Sequence, residues 1–340
     1  MKLLVPVALA LGLAACHGGK DTDGTSIGAG DDDDDATTGP IARRCLDPGP
    51  DAPVTPAVTP TFDTFEGDPV QYWLPDGLRA VVFYFYGGDD VSEWNGYEQT
   101  AFANQMADAN IGWVAYTKAT PQASGSWDDT REDWVANDDL ARLDRLRNEL
   151  VATTPLSDGT PIVSVGFSDG ASFSVFFATA AQRAGWPVAV VLAHNSGARG
   201  NDLPDCPMWT TASENDDANV RNGSADLAQA QADRGFLAVH HPVDERLAPA
   251  DVFLRNPEWD ATKAQELFDD LVTAGLVDAS GARTVADDQM DAAISAWTRN
   301  PTVRGGAIAG SRLRVVWATH RYSAFHTVEE CEFVLDALGL

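Results

Sequence analysis

The chain has 340 residues, a formal net charge of −28 and a pI near 4.3. That surplus argues against nucleic acid or an anionic membrane surface as a partner, while 44% hydrophobic residues and ten tryptophans supply the apolar surface of a large core. Residues 62–340 alone carry 42 acidic against 19 basic side chains, so the acidity is not confined to a tail.

Residues 1–16 read as a targeting segment. Lys2 precedes an apolar stretch, Leu3 to Leu13, that is too short to span a bilayer as a helix. Leu13-Ala14-Ala15-Cys16 follows and resembles a bacterial lipobox. The resemblance implies cleavage before Cys16, lipidation of its thiol, and an exported protein in the cell envelope, at the outer membrane or cell surface. His17, where an inner-membrane sorting signal has aspartate, favours the outer membrane. The lipid anchor is then the only contact with the membrane, and two or more acyl chains make it stable. Residues 17–61 read as a tether: glycine pairs, the run Asp31 to Asp35, and a Pro/Thr stretch from Pro48 to Pro60 offer too little apolar surface to offset the cost of ordering. The aspartates lack the spacing of a calcium loop. With Cys16 lipidated, Cys45, Cys206 and Cys331 allow one intramolecular disulfide, which the sequence does not choose. No CxxC spacing suggests a metal or redox site.

Over 62–340 apolar runs alternate with helical patterns, which predicts an α/β domain with a mostly parallel central sheet flanked by helices. The first clear strand is 79–86 (RAVVFYFY), ending at Gly87-Gly88. A helix near 96–109 leads to a strand at 112–117, and a helix at 137–152 to a strand at 162–167. There the chain enters Gly166-Phe167-Ser168-Asp169-Gly170, and a helical pattern runs on to Arg183. Strands at 187–193 and 207–212, a helix at 219–234 and a strand at 236–241 follow. Residues 242–310 read as a helical cap or insertion, with helices near 261–274 and 286–299. A last strand at 313–317 and a helix at 327–338 complete the pattern.

G-x-S-x-G between strand and helix is the context in which a serine hydroxyl projects from a sharp turn as a nucleophile. Ser168 needs a base, and the base needs a carboxylate to orient it. Both candidates lie just past predicted strand ends: Asp216 or Asp217 as the acid, His320 or His326 as the base. Asp216 is preferred from the turn Ser213-Glu214-Asn215-Asp216, and His320 from its closeness to Trp317. His240 or His241 is a weaker alternative base, and His194 fits a pocket wall or a core hydrogen bond. Backbone N–H groups of Asp169, Gly87 and Gly88 are the expected oxyanion donors. Trp94, Trp127, Trp134 and Trp209 fit either a pocket lining or, more readily, core packing.

The order Ser168, Asp216, His320 with the surrounding pattern resembles the α/β-hydrolase family over residues 70–340. Tyr84-Phe85-Tyr86-Gly87-Gly88, Gly166 to Ala171 and Asn137-Asp138 are similar to secreted esterases of the polyhydroxybutyrate-depolymerase or feruloyl-esterase type. Tyr86 stands where those enzymes often have histidine, and the segment 242–310 separates the acid from the base. The resemblance implies an α/β-hydrolase fold, in which the segment 242–310 stands as a helical insertion before the last strand. It implies a serine hydrolase that cleaves small-molecule or polymeric carboxylic esters through an acyl-enzyme, with no cofactor and no metal, and the lipobox-like segment adds the lipid anchor. The same triad serves a peptidase or amidase, and a hydrolase scaffold can also serve a non-catalytic surface binding protein.

Overall fold

The computed structural model describes residues 44–47, 49–87, 96–116, 118, 126–196, 202–300, 303 and 305–340. They belong to the unit Arg43–Leu340. The targeting segment with Cys16, and Gly88, lie outside the described residues.

The sheet begins with a hairpin, β1 (Thr61–Phe65) and β2 (Asp68–Trp73), that the sequence reading missed. Its two-residue turn places both Glu66 and Gly67 at positive φ, 52° and 92°, the geometry that matches the twist of paired strands. The next strands are β3 (Ala80–Phe85), β4 (Ile111–Tyr116), β5 (Ile162–Phe167), β6 (Val188–His194), β7 (Met208–Ser213) and β8 (Ala238–Val243). They form one sheet in the order β1-β2-β4-β3-β5-β6-β7-β8, antiparallel at β1/β2 and β2/β4 and parallel elsewhere. Every residue of β3, β4, β5 and β7 is buried, which is why β3 and β4 in particular read as continuous apolar runs rather than alternating ones.

The helices are α1 (Tyr97–Asp108), α2 (Asp138–Thr153), α3 (Asp169–Arg183), α4 (Ala218–Asp233), α5 (Ala261–Thr273), α6 (Met290–Thr298), α7 (Gly306–Val316) and α8 (Thr327–Leu338). α2 starts on Asn137, whose side chain accepts from the Leu140 N–H. The arrangement is an α/β-hydrolase fold. From β3 the chain winds outward to β4, then returns to β5 on the other side of β3 and winds the opposite way through β6, β7 and β8. The strand order therefore switches between β3 and β5, and a crevice forms there at the C-terminal edge of the sheet.

The expected strand at 313–317 is instead the end of α7. Ala309, Leu313, Val316 and Trp317 are buried at helical spacing. A five-residue apolar run does not by itself separate a strand from a buried helical turn. The sheet ends at β8, so the helical segment follows the last strand rather than preceding it. From Ala248 to Trp317 that segment has its own apolar core, including Phe253, Leu267, Leu271, Ile294 and Trp317.

A buried carboxylate links this segment to the sheet unit. Glu98 of α1 accepts from Arg312 of α7 at 2.7 Å, from Arg255 at 3.3 Å and from the Ala324 N–H at 2.9 Å. Arg312 also reaches Asp51 at 2.6 Å and the Pro50 carbonyl at 2.9 Å. Residues 44–60, read from sequence as the end of the tether, are thus fastened to the domain. Cys45 is bonded to Cys331 of α8, and Arg44 donates to Glu332 and Asp336 of that helix. The tether reading failed here because its signal was composition, and contacts made by a few residues leave composition unchanged. Among the described residues Cys206 is the free thiol; it is buried, and burial pushes its pKa up to about 12.

The disulfide spans 286 residues of sequence. Replacing both cysteines, Cys45→Ser with Cys331→Ser, is expected to cost about 2–5 kcal/mol. Urea unfolding of the double variant beside the parent checks this, and dithiothreitol is expected to lower the parent's midpoint while leaving the double variant's unchanged.

Candidate active site

The switch between β3 and β5 is where the G-x-S-x-G turn falls. β5 ends at Phe167, α3 begins at Asp169, and Ser168 between them has φ 56° and ψ −120°. A side chain held at positive φ costs about 1–3 kcal/mol and persists only where the surroundings impose it. Close packing imposes it here. A Cβ on Gly166 would lie 2.1 Å from the Gly170 carbonyl oxygen, and one on Gly170 would lie 2.1 Å from the Phe85 carbonyl oxygen. The Ser168 N–H donates to the His194 carbonyl at 2.9 Å, hooking the turn onto β6.

The structure brings three of the predicted side chains into one hydrogen-bonded row. His320 Nε2 lies 2.6 Å from Ser168 Oγ, and His320 Nδ1 lies 2.6 Å from Asp216 Oδ2. The Asp216 side chain is 4% exposed and that of His320 is 37% exposed, so the carboxylate is shielded while the imidazole faces the opening. Asp216 Oδ1 accepts from the Asp217 N–H at 2.7 Å, which fixes the carboxylate's rotation.

The alternatives lie elsewhere. Asp217 caps α4, accepting from the Asn219 N–H. His326 sits at the start of α8 with Nε2 3.2 Å from the Pro242 carbonyl, its ring beside His241. His240 contacts Thr210 Oγ1 at 2.9 Å on β8, and His241 stacks on Trp209. His194 is a core residue, 3.1 Å from Thr211 Oγ1 and 2.8 Å from Glu330.

Of the expected oxyanion donors, Asp169 opens α3, so its N–H belongs to the first turn, where helix donors lack intrahelical partners and the helix dipole is positive. Gly87 approaches so closely that a Cβ there would lie 2.6 Å from the Ser168 Cβ. Gly88 lies outside the described residues. Tyr86 turns away from the site: it is fully buried, its hydroxyl accepts from the Lys118 N–H at 3.0 Å, and its carbonyl accepts from the Trp127 indole at 2.9 Å. The Trp127 N–H in turn donates to Asp169 Oδ2 at 2.8 Å. Trp127 stacks on Phe173, Trp209 is buried and Trp134 packs on Trp186, so these three serve packing; Trp94 lies outside the described residues.

Asn195 is the site residue that the sequence reading passed over. It follows β6 at φ 53°, 2% exposed. Its Oδ1 accepts from the Ser213 N–H at 2.8 Å, and its Nδ2 donates to the Arg321 carbonyl at 3.0 Å. One buried amide therefore ties the start of the Asp216 turn to the residue after His320. Asn215 adds a second tie, its N–H donating to the Ala318 carbonyl at 2.9 Å and its Nδ2 to the Trp317 carbonyl at 2.8 Å. The local signal for such a residue is an asparagine just past a buried strand, where αL backbone is tolerated.

A cavity of about 590 Å³ opens over Ser168 and His320. Asp169 and Ser172 of α3, Asn195 and one face of α4 line it. A hydroxyl in contact with an imidazole that is itself oriented by a shielded carboxylate can be deprotonated as it attacks an electrophilic carbon, and the proton can be passed on to a leaving group.

Residues 90–206, about a third of the chain, match a family model described as alpha/beta hydrolase. No protein of curated function matches the chain by sequence. Among solved structures it is similar to a thermostable esterase, with 14% identity, 54% of each chain covered and a TM-score of 0.37. The chain thus spans about half the length of that esterase. It is also similar to an arylesterase (10% identity, 64% of this chain and 85% of that one, TM-score 0.41). A third likeness is to a hyperthermophilic esterase from the archaeon Pyrobaculum calidifontis (13% identity, 64% and 82%, TM-score 0.38).

Asn195→Ala removes its bonds to both Ser213 and Arg321 and leaves the buried Ser213 N–H without its acceptor. The expected loss is about 1–3 kcal/mol of stability, read as a lowered urea midpoint, with Asn195→Asp recovering part of it because a carboxylate still accepts from Ser213.

Proposed function

We propose that this chain is a serine hydrolase that cleaves carboxylic esters through an acyl-enzyme. The observation that carries the reading is the row Ser168–His320–Asp216 at the switch point of the sheet, with 2.6 Å at each contact. The likeness to an alpha/beta hydrolase family model over residues 90–206 is in accord with it.

Ser168 Oγ attacks the ester carbonyl while His320 Nε2 takes its proton, and the carbonyl π pair moves onto oxygen. Asp216 accepts from His320 Nδ1–H, holding the tautomer that leaves Nε2 free as the base and stabilising the imidazolium. Backbone N–H groups of Asp169 and of the Gly87-Gly88 segment receive the oxyanion. The tetrahedral centre collapses, the C–O bond to the alcohol breaks, and His320 gives the departing oxygen its proton. Water then repeats the sequence on the acyl-enzyme: His320 takes the water proton, the carboxylic acid leaves and Ser168 regains its hydrogen.

Export and lipid anchoring belong to the same reading. The lipobox-like Leu13-Ala14-Ala15-Cys16 supports them, and so does the Cys45–Cys331 disulfide, a bond that persists in oxidising compartments. In a bacterial host the full-length chain is expected in the membrane fraction and labelled by radioactive palmitate, and Cys16→Ser is expected to abolish the label.

The enzymatic test is hydrolysis of p-nitrophenyl esters from acetate to octanoate by the protein and its variants. Ser168→Ala is expected to abolish turnover and labelling by a fluorophosphonate probe. Asp216→Asn is expected to lower kcat by about 10³- to 10⁴-fold, whereas Asp217→Asn and His326→Ala retain activity. Turnover of every ester by Ser168→Ala at the parental rate would refute the nucleophile.

A further inference from the structure

One wall of the cavity is a face of α4. Asn219, Asn222, Gly223 and Asp226 follow at i, i+3, i+4 and i+7, and all four line the cavity. Gly223 keeps the floor between the polar side chains low. Val220 is the one residue with an apolar side chain among the described lining residues, and no lysine or arginine is among them. The described lining residues do not by themselves make the predominantly apolar wall that an acyl-chain tunnel needs.

The polar groups on this wall differ from the other carboxylates and amides of the site in having no protein partner. Asp216 is bound to His320, Asp217 caps α4, Asp169 accepts from the Trp127 N–H, and Asn195 is fully engaged. The side chains of Asn219, Asn222 and Asp226 make no hydrogen bond and no ion pair among the described residues. A full negative charge and two amides, all solvent-exposed, thus line one space beside the nucleophile; the carboxylate only accepts, and each amide can turn its oxygen to a donor. An anionic substrate would meet Asp226 and Asp169 with no compensating cation from the described wall.

We infer that the ester taken by this site carries a cationic, ammonium-type group on the part that lies along α4, seated against Asp226 and the carbonyl oxygens of Asn219 and Asn222. The inference rests on the ester-hydrolase reading above and extends it to a substrate class. The charge of the whole chain acts in the same direction: at −28 its long-range field raises the encounter rate of cations and lowers that of anions, and salt screens the effect. The local contact at Asp226 is the part that distinguishes a site from a field.

Three p-nitrophenyl esters of matched size separate these contributions: 4-(trimethylammonio)butyrate, its neutral isostere 5,5-dimethylhexanoate, and the anionic hemiglutarate. The readout is the ratio of kcat/KM for the cationic and neutral esters within each protein, at low and at high salt. The parent is expected to favour the cationic ester by about two- to fivefold, the range of an exposed ion pair, with the anionic ester slowest. Asp226→Asn is expected to bring the ratio close to one. Asp233→Asn makes the same charge change at the end of α4, outside the cavity, where Asp233 is held by Gln229, and is expected to keep the parental ratio. A parental ratio of one overturns the inference while leaving the esterase reading intact. So does an equal fall in both variants, which assigns the preference to the overall field. Failure to hydrolyse any of the three while p-nitrophenyl acetate is turned over overturns this inference alone, and failure on the acetate-to-octanoate series as well overturns the esterase reading with it.

Discussion

The site depends on how closely α3 crosses the ends of β3 and β5. Gly166 and Gly170 leave no room for a Cβ, so the backbones meet, and the residue between them is forced to φ 56°. The strain at Ser168 is sustained by strands and a helix buried along almost their whole length, with the Ser168 N–H fixed to the His194 carbonyl. The same crossing sets an α-helix N-terminus beside the serine and brings the backbone of Gly87 within contact distance. The strained Ser168 turn and the backbone N–H groups beside it are therefore two outcomes of one packing event, and neither can be adjusted without the other.

His320 has no such foundation, because no strand lies under it. It is carried on the short connection between α7 and α8, with Ala318 at φ 45°, and its position is set by clamps around that connection. Before it, Asn215 holds the carbonyls of Trp317 and Ala318; after it, Asn195 holds that of Arg321. α7 is held through Arg312 on Glu98, and α8 through the disulfide to Cys45 and the Glu330–His194 contact. His320 is thus placed by contacts from four separate parts of the chain, which explains why a residue so distant in sequence from Ser168 meets it at 2.6 Å.

The strands, the turn at Ser168 and the residues of the hydrogen-bonded row were legible because each follows from a local rule: a continuous apolar run for a strand buried on both faces, glycines two residues either side of a serine, polar residues just beyond strand ends. The β1–β2 hairpin was not, since four of the five β1 residues are exposed and the strand has no apolar face to show. The end of α7 was misread because Leu313 to Trp317 is as compatible with a strand as with a buried helical turn, and only its partners, Ala309 and the apolar core of the 248–317 segment, separate the two. His320 was placed after a strand that does not exist, yet its distance from Trp317 led to the right connection. Asn195 and Glu98 were invisible for a different reason. Their importance lies in partners 18 to 226 residues away, and no pattern of neighbours encodes that.

The Glu98 cluster joins two bodies that each bury their own apolar core, the sheet with its helices and the helical segment from Ala248 to Trp317. Burying a carboxylate and two guanidinium groups costs several kcal/mol in desolvation, and apolar side chains of the same volume would often hold two surfaces together as well or better. Apolar contact, however, is non-directional and tolerates sliding. Glu98 offers two oxygens to Arg255, Arg312 and the Ala324 N–H, and Arg312 uses its remaining donors on Asp51, Pro50 and Val252. Each of those bonds is lost by a displacement of about an ångström, so the cluster fixes register where a greasy interface would not. That register is transmitted directly to the connection after α7, whose first residues lie one helical turn beyond Arg312, and it is on this connection that His320 must meet both Ser168 and Asp216.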